Sequence, residues 1–115
     1  MQGDRDEEAL RDIAVVIERF GPQATGARAA EVAAREWLDA GFDDAEEVED
    51  WLRARCFDAA GARRLEDAGI TPEQAAMRTS AGADGAEDTL GSKLTRGVLS
   101  FEEARRIITS EFWNS

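Results

Sequence analysis

Between Glu36 and Asp50 the chain carries eight carboxylates (Glu36, Asp39, Asp43, Asp44, Glu46, Glu47, Glu49 and Asp50) and no base. Two carboxylates do general acid–base work when they face each other across a cleft and burial raises the pKa of one. These eight fall instead on stretches of helical periodicity, where charges form a solvated face. Oxygen ligation of a divalent cation in an EF-hand loop needs acceptors at positions 1, 3 and 5, Gly at 6 and Glu at 12. No segment has that order. Asp43, Asp44, Glu46 and Glu47 have the composition of a helix start, where carboxylates accept from free N–H groups and favour the dipole. The chemistry left to the cluster is recognition: it repels phosphates and phospholipid headgroups and attracts a basic protein surface.

The other reactive residue types narrow the field further. The 115 residues hold 25 acids and 14 bases, a formal charge of −11, with no His, no Tyr and a single Cys. Without His there is no His-dependent triad, His metal ligand or His proton shuttle. One Cys makes neither an internal disulfide nor a Cys-cluster zinc site. Cys56 as a nucleophile would need a base. Arg53 and Arg55 are close enough in sequence to lower its pKa, but a small buried side chain is the commoner fate. No strand precedes a glycine-rich turn, and Lys93 is not in a Walker-type setting, so no phosphate loop is present. Trp37 and Trp51 sit beside Leu on apolar faces, where core residues belong. The chain therefore reads as a non-enzyme, with no cofactor and no metal.

The elements that position these residues are helical. Ala is abundant while Val, Ile, Thr and aromatics are sparse, a balance that favours helix over sheet. A first helix is predicted over 5–20, with Asp4 and Glu7 as a capping pair. Leu10, Ile13, Ile17 and Phe20 form its apolar stripe, and Gly21-Pro22 stops it. A second runs from Thr25 to about Asp39. Its small face of Ala30, Ala33 and Ala34 suits an intramolecular neighbour or a homodimer partner. Asp43 or Asp44 caps a third, burying Val48, Trp51 and Leu52, and Asp58 caps a fourth. Thr71-Pro72-Glu73-Gln74 is the clearest start signal in the chain. Residues 80–88 have no apolar period and read as a mobile loop. Thr89 to Arg96 forms a helix closed by Gly97. Ser100 opens the last helix, which buries Phe101, Ala104, Ile108 and Phe112, and Trp113 docks that helix or meets a partner.

A 14-residue repeat runs through the middle, as Trp37–Asp50, Trp51–Arg64 and Leu65–Arg78. Each block opens on a large apolar residue and has Ala fourth (Ala40, Ala54, Ala68). Two continue with Gly and a large apolar residue, Gly41-Phe42 and Gly69-Ile70. Fourteen residues are two heptads, but Gly41, Gly69 and Pro72 break a continuous coiled coil. The pattern predicts short helices joined by tight turns.

Residues 69–108 carry a second pattern. Gly69-Ile70-Thr71-Pro72-Glu73-Gln74-Ala75-Ala76 resembles the opening helix of a lambda-repressor/Cro-type helix-turn-helix. Leu94-Thr95-Arg96-Gly97, with Ser100 and Ala104-Arg105-Arg106-Ile107, is similar to that family's recognition-helix end and following helix. The resemblance covers about a third of the chain and implies that Ser92, Lys93, Thr95 and Arg96 face DNA. It departs from the family at 80–88, where an acidic stretch replaces a tight turn. Residues 89–106 carry a net charge of +2, a small electrostatic footprint for phosphate binding.

The expected fold is all-α, a small single-domain bundle of six or seven short helices spanning 1–115. Residues 1–78 form its acidic part, 80–88 a loop and 89–113 the C-terminal helices. No apolar run approaches the ~20 residues of a membrane span. The first eight residues lack the basic flank and apolar stretch of a signal peptide, so a cytoplasmic protein without membrane contact is expected. The leading function is an acidic protein-binding module that meets a basic partner through the carboxylates of 36–50. In its sharper form it is a small phage- or mobile-element-type inhibitor that masks a nucleic-acid-binding surface. The alternative is a DNA-binding regulator using residues 69–108. A plainer alternative is that the acidity only keeps the chain soluble.

Overall fold

The computed structural model describes residues 2–26 and 28–113, with side-chain surroundings given for 6–26 and 28–110. Among these the chain runs α1 (Gln2–Phe20), α2 (Pro22–Thr25), α3 (Ala30–Asp39), α4 (Ala45–Arg53), α5 (Ala59–Asp67), α6 (Pro72–Ala75), β1 (Arg78–Thr79), β2 (Asp88–Thr89), α7 (Leu90–Arg96) and α8 (Phe101–Trp113). The architecture is all-α apart from the two-residue strands, which pair antiparallel with Arg78 opposite Thr89.

The predicted stripe of α1 faces the core: Ile13 and Ile17 are fully buried, and Leu10 and Phe20 pack partly against them. The helix starts at Gln2, so Asp4 lies inside its first turn rather than at a cap. The predicted second helix begins later than expected. Pro22–Thr25 make one separate turn that ends at Gly26, whose φ of 65° breaks helical geometry, and α3 starts only at Ala30. Ala30, Ala33 and Ala34 are buried, and α1 with α3 forms the most extensive helix pair. Small residues let the two backbones approach closely, so the small-residue face has an intramolecular neighbour.

The 14-residue repeat is a repeated helix ending. Phe42 N–H donates to Trp37 O and Gly41 N–H to Leu38 O; the same two bonds recur as Cys56→Trp51 with Arg55→Leu52, and Ile70→Leu65 with Gly69→Glu66. Each is a Schellman closure, in which the last carbonyls are satisfied around one left-handed residue. That residue is Gly41 (φ 100°), Arg55 (φ 63°) or Gly69 (φ 85°). The apolar partners meet across the closure: Trp37 and Phe42 lie edge to face at 5.2 Å, and Phe42 reaches Trp51 at 6.4 Å. Asp44, Asp58 and Thr71 then cap the next helix, with Thr71 and Gln74 forming the reciprocal box. A fourth closure of the same form follows α7, Val98→Lys93 with Gly97→Leu94. Lys93 thus occupies the place held elsewhere by Trp37, Trp51 and Leu65.

Residues 80–87 form the loop between the two strands, and it has defined partners. Ala83 N–H donates to Val98 O at 2.8 Å, and Lys93 Nζ donates to Ala81 O at 2.5 Å. Thr89 caps α7 through Ser92 N–H and donates its hydroxyl to Ala54 O at 2.5 Å, tying the hairpin to the turn after α4. The hairpin stands where a helix-turn-helix would carry its tight turn. On α8, Ala104 is buried and Ile108 partly so, but Phe101 is 37% exposed, which corrects its predicted burial. At the first helical position its side chain falls outside the strip that touches the bundle. The side chains of Phe112 and Trp113 lie outside the described residues.

Candidate functional site

The eight carboxylates of 36–50 divide by what they touch. Asp44 is spent locally: as N-cap of α4 it accepts from Glu46 N–H at 2.9 Å. Glu36 pairs with Arg28. Glu49 pairs with Arg53 at 2.5 Å, and Asp50 stands 4.0 Å from the same guanidinium. Asp39, Asp43, Glu46 and Glu47 make no ion pair among the described residues, and all but the partly covered Glu47 are exposed. The stretch is therefore an acidic face with its neutralised charges at the edges and its free charges at the end of α3 and the start of α4.

The fold adds a member that the sequence did not indicate. The start of α4, the end of α5 and the turn into α6 enclose a depression of about 540 Å³, lined by Asp44, Glu46, Glu47, Asp50 and Glu66, with no base on its walls. Glu47 and Glu66 stand close enough to interact. Partial burial pushes the Glu47 carboxyl above its ordinary range, the Glu66 charge pushes it further, and the Trp51 indole opposes both. Trp51 lines the depression and is fully buried; its indole N–H approaches Glu47 without reaching good hydrogen-bond geometry. Glu47 and Glu66 share no helical spacing, and only the packing of α4 beside α5 brings them together.

Around α7 the charges are consumed by the fold. Lys93 is fully buried, and its ammonium donates to Ala81 O and, at 2.7 Å, to Asp84 Oδ1. Arg96 bridges Asp84 at 3.3 Å and Asp88 at 3.1 Å, and Arg55 meets Asp88 at 3.0 Å. Ser92 donates to Asp88 Oδ2 at 2.7 Å, and the Thr95 hydroxyl donates to Ser92 O at 3.0 Å. The Lys93 hydrogen bond holds the Asp84 carboxyl below its ordinary range, with Ala86 N–H and Arg96 adding to it. At Asp88 burial acts upward, but the Ser92 and Thr89 hydrogen bonds and the two arginines outweigh it and leave the carboxyl low. The four residues that the helix-turn-helix resemblance directs at DNA, Ser92, Lys93, Thr95 and Arg96, thus all spend polar groups on neighbours within the chain.

The remaining candidates sit in the core. Cys56 is buried, and burial, with Asp58 nearby, pushes its thiol up to about 12, so it stays protonated at neutral pH. Trp37 and Trp51 are core residues, as expected from their place beside Leu. Among the described residues no group of three or more His, Cys, Asp and Glu side chains is placed to hold a metal ion. No helix among them is long and apolar enough to cross a membrane. No family model, curated protein or solved structure is similar enough to the chain to match it.

Proposed function

We propose that the protein is a non-enzymatic binding module whose acidic face, from Glu36 on α3 to Asp50 on α4, docks a basic protein surface. In the sharper version that surface is a nucleic-acid-binding site, and the chain acts as a small inhibitor that covers it. The observation that carries this reading is the contrast in pairing. Asp39, Asp43, Glu46 and Glu47 have no cationic partner among the described residues, whereas Asp84 and Asp88 have several. Free carboxylates on one face steer association with a cationic surface and fix its orientation. The basic side chains offered for the alternative, DNA-binding reading, Lys93 and Arg96, are engaged by Asp84 and Asp88. Asp39, Asp43, Glu46 and Glu47 keep their charge free for a partner, although the Arg63 guanidinium lies against Ala40 O between the first two.

The test is affinity capture from the native host with mass spectrometry, using the full chain and an Asp39→Lys/Asp43→Lys/Glu46→Lys variant. These positions avoid the Asp44 cap. A nucleic-acid-binding protein should be retained by the parent and lost by the variant, and the parent chain should release nucleic acid from that protein in a gel shift. Sequence-selective duplex binding by the chain itself, weakened by Arg96→Ala, would overturn the proposal. So would equal retention by the parent and the charge-reversed variant, the outcome if the acidity serves solubility alone.

A further inference from the structure

We propose that the depression between α4, α5 and α6 takes one arginine side chain of the basic partner, its guanidinium lodged between Glu47 and Glu66 above Trp51. This deepens the binding-module reading and rests on it for the partner's chemistry. Like charges that approach on a protein surface are normally separated by a base or hydrated apart, because each disfavours the other's ionised form. Here five carboxylates line one depression and no base does, although Arg53 stands 4.0 Å from one of them, Asp50.

Trp51 supplies a second, independent observation. A buried indole N–H almost always has an acceptor, and leaving one unpaired is costly because its lost hydration is not replaced. The Trp51 N–H is fully buried, lines this depression and is unpaired. The acceptor it faces is Glu47, which Glu66 disfavours as an anion. A cation between Glu47 and Glu66 removes that repulsion, so the Glu47 carboxylate can settle on the indole N–H. One ligand charge thereby satisfies both defects.

The shape and donor count favour a guanidinium. A metal ion is a poor occupant, since no metal-holding group of three or more acidic, His or Cys side chains occurs among the described residues. A guanidinium has five N–H donors in a planar fork and can bridge two carboxylates at once. Ile70 and Pro72 on the wall offer apolar surface to its aliphatic stem.

The probe is N-acetyl-arginine methylamide, titrated into the full chain while the indole N–H resonances of the three tryptophans are followed by NMR. Trp51→Phe assigns the Trp51 signal. That signal should shift saturably, with a Kd of about 1–10 mM for a fragment of this size. The neutral citrulline counterpart should leave it in place. Glu66→Gln, which keeps side-chain shape, should weaken the response about tenfold, with the other two indole signals unmoved as a control for folding. An unmoved Trp51 signal, an equal response to citrulline, or an unchanged Kd in Glu66→Gln would overturn the proposal. The two readings fail separately. If host-protein capture is lost in the Asp39/Asp43/Glu46 reversal but arginine does not move Trp51, the pocket is wrong and the acidic face stands. If arginine binds but no basic protein is captured, the pocket stands and the module reading falls.

Discussion

The acidic face of α3 and α4 and the charged knot around α7 use the same residue types to opposite ends. In the knot, Asp84 and Asp88 meet Lys93, Arg96, Arg55, Ser92 and Thr89, and one of the cations is wholly buried. On the face, Asp39, Asp43 and Glu46 meet no base among the described residues and stay hydrated. A buried ammonium has to be satisfied in place or the fold loses several kcal/mol, whereas an exposed carboxylate contributes little to stability and remains free to act on a partner. Charge in the knot is structural and charge on the face is available. The distinction is set by pairing as well as burial: 36–50 carries eight acids and no base, whereas Asp84, Glu87 and Asp88 share 80–96 with Lys93 and Arg96.

This contrast can be broken most forcefully at Lys93. Lys93→Ala removes a fully buried side chain and its two hydrogen bonds. We expect a loss of about 3 kcal/mol in urea denaturation. Lys93→Met keeps volume and should lose only about 1 kcal/mol. An exposed, weakly held lysine would give nearly no effect in either variant.

Packing beneath the knot should be the next most sensitive point. A Cβ at Gly91 would stand 2.3 Å from Cys56 Sγ and 3.1 Å from Ala54 O. Gly91→Ala is expected to destabilise by about 2 kcal/mol. Adding Cys56→Ala should recover part of that loss in a double-mutant cycle, because the two positions share one contact.

Asp88→Asn comes third, at about 1–2 kcal/mol, from the weakened bonds to Arg55, Arg96 and Ser92. The accompanying pH dependence has a definite sign. Asp84 and Asp88 have depressed carboxyls in the folded state, so the native state binds their protons less readily than the unfolded chain. Their contribution is fully present above the ordinary carboxylate pKa of about 3.9 and is lost as pH falls through it toward the lower folded values. Thermal melts from pH 7 to pH 3 should show a shallower acid loss in Asp88→Asn than in the parent.

The smallest effects belong to the face. Glu47 has the opposite sign: its folded carboxyl is raised, so the stability it contributes at low pH is lost as pH rises from about 4.3 through the folded value. Glu47→Gln should therefore gain a few tenths of a kcal/mol at pH 7, solvent screening keeping the gain small. Asp39→Asn with Asp43→Asn should change stability by less than about 0.5 kcal/mol. A loss above 1 kcal/mol from that pair would make the face structural and erase the contrast.

Local chemistry made much of the fold legible. The caps of α4, α5 and α6, the stops at Gly41, Gly69 and Gly97 and the apolar stripe of α1 are short-range features, governed by backbone hydrogen bonding and by a 3.6-residue period. Thr71 with Gln74, Asp58 and Gly97 all occupy their expected positions, while Thr89 caps the helix it was expected to begin. The repeat was legible as spacing, but its meaning was not. Arg55 takes a left-handed conformation that Gly fills elsewhere, so the second block carried no glycine signal. The late start of α3 turned on Gly26, whose positive φ is one of several conformations glycine can adopt.

By itself, the sequence determined an all-α chain of short capped helices, a base-free run of acids and the absence of histidine chemistry. Composition and neighbours along the chain settle these. The tertiary structure decided which charges are free. It buried Lys93 in a helix-closure position otherwise held by Trp37, Trp51 or Leu65, and closed Asp84 over it from a hairpin loop. It also brought Glu66 from α5 beside Glu47 on α4, over an indole N–H without a partner. Such pairings join residues from separate elements, and their energies depend on the solvent each group loses, which is fixed only when the elements pack.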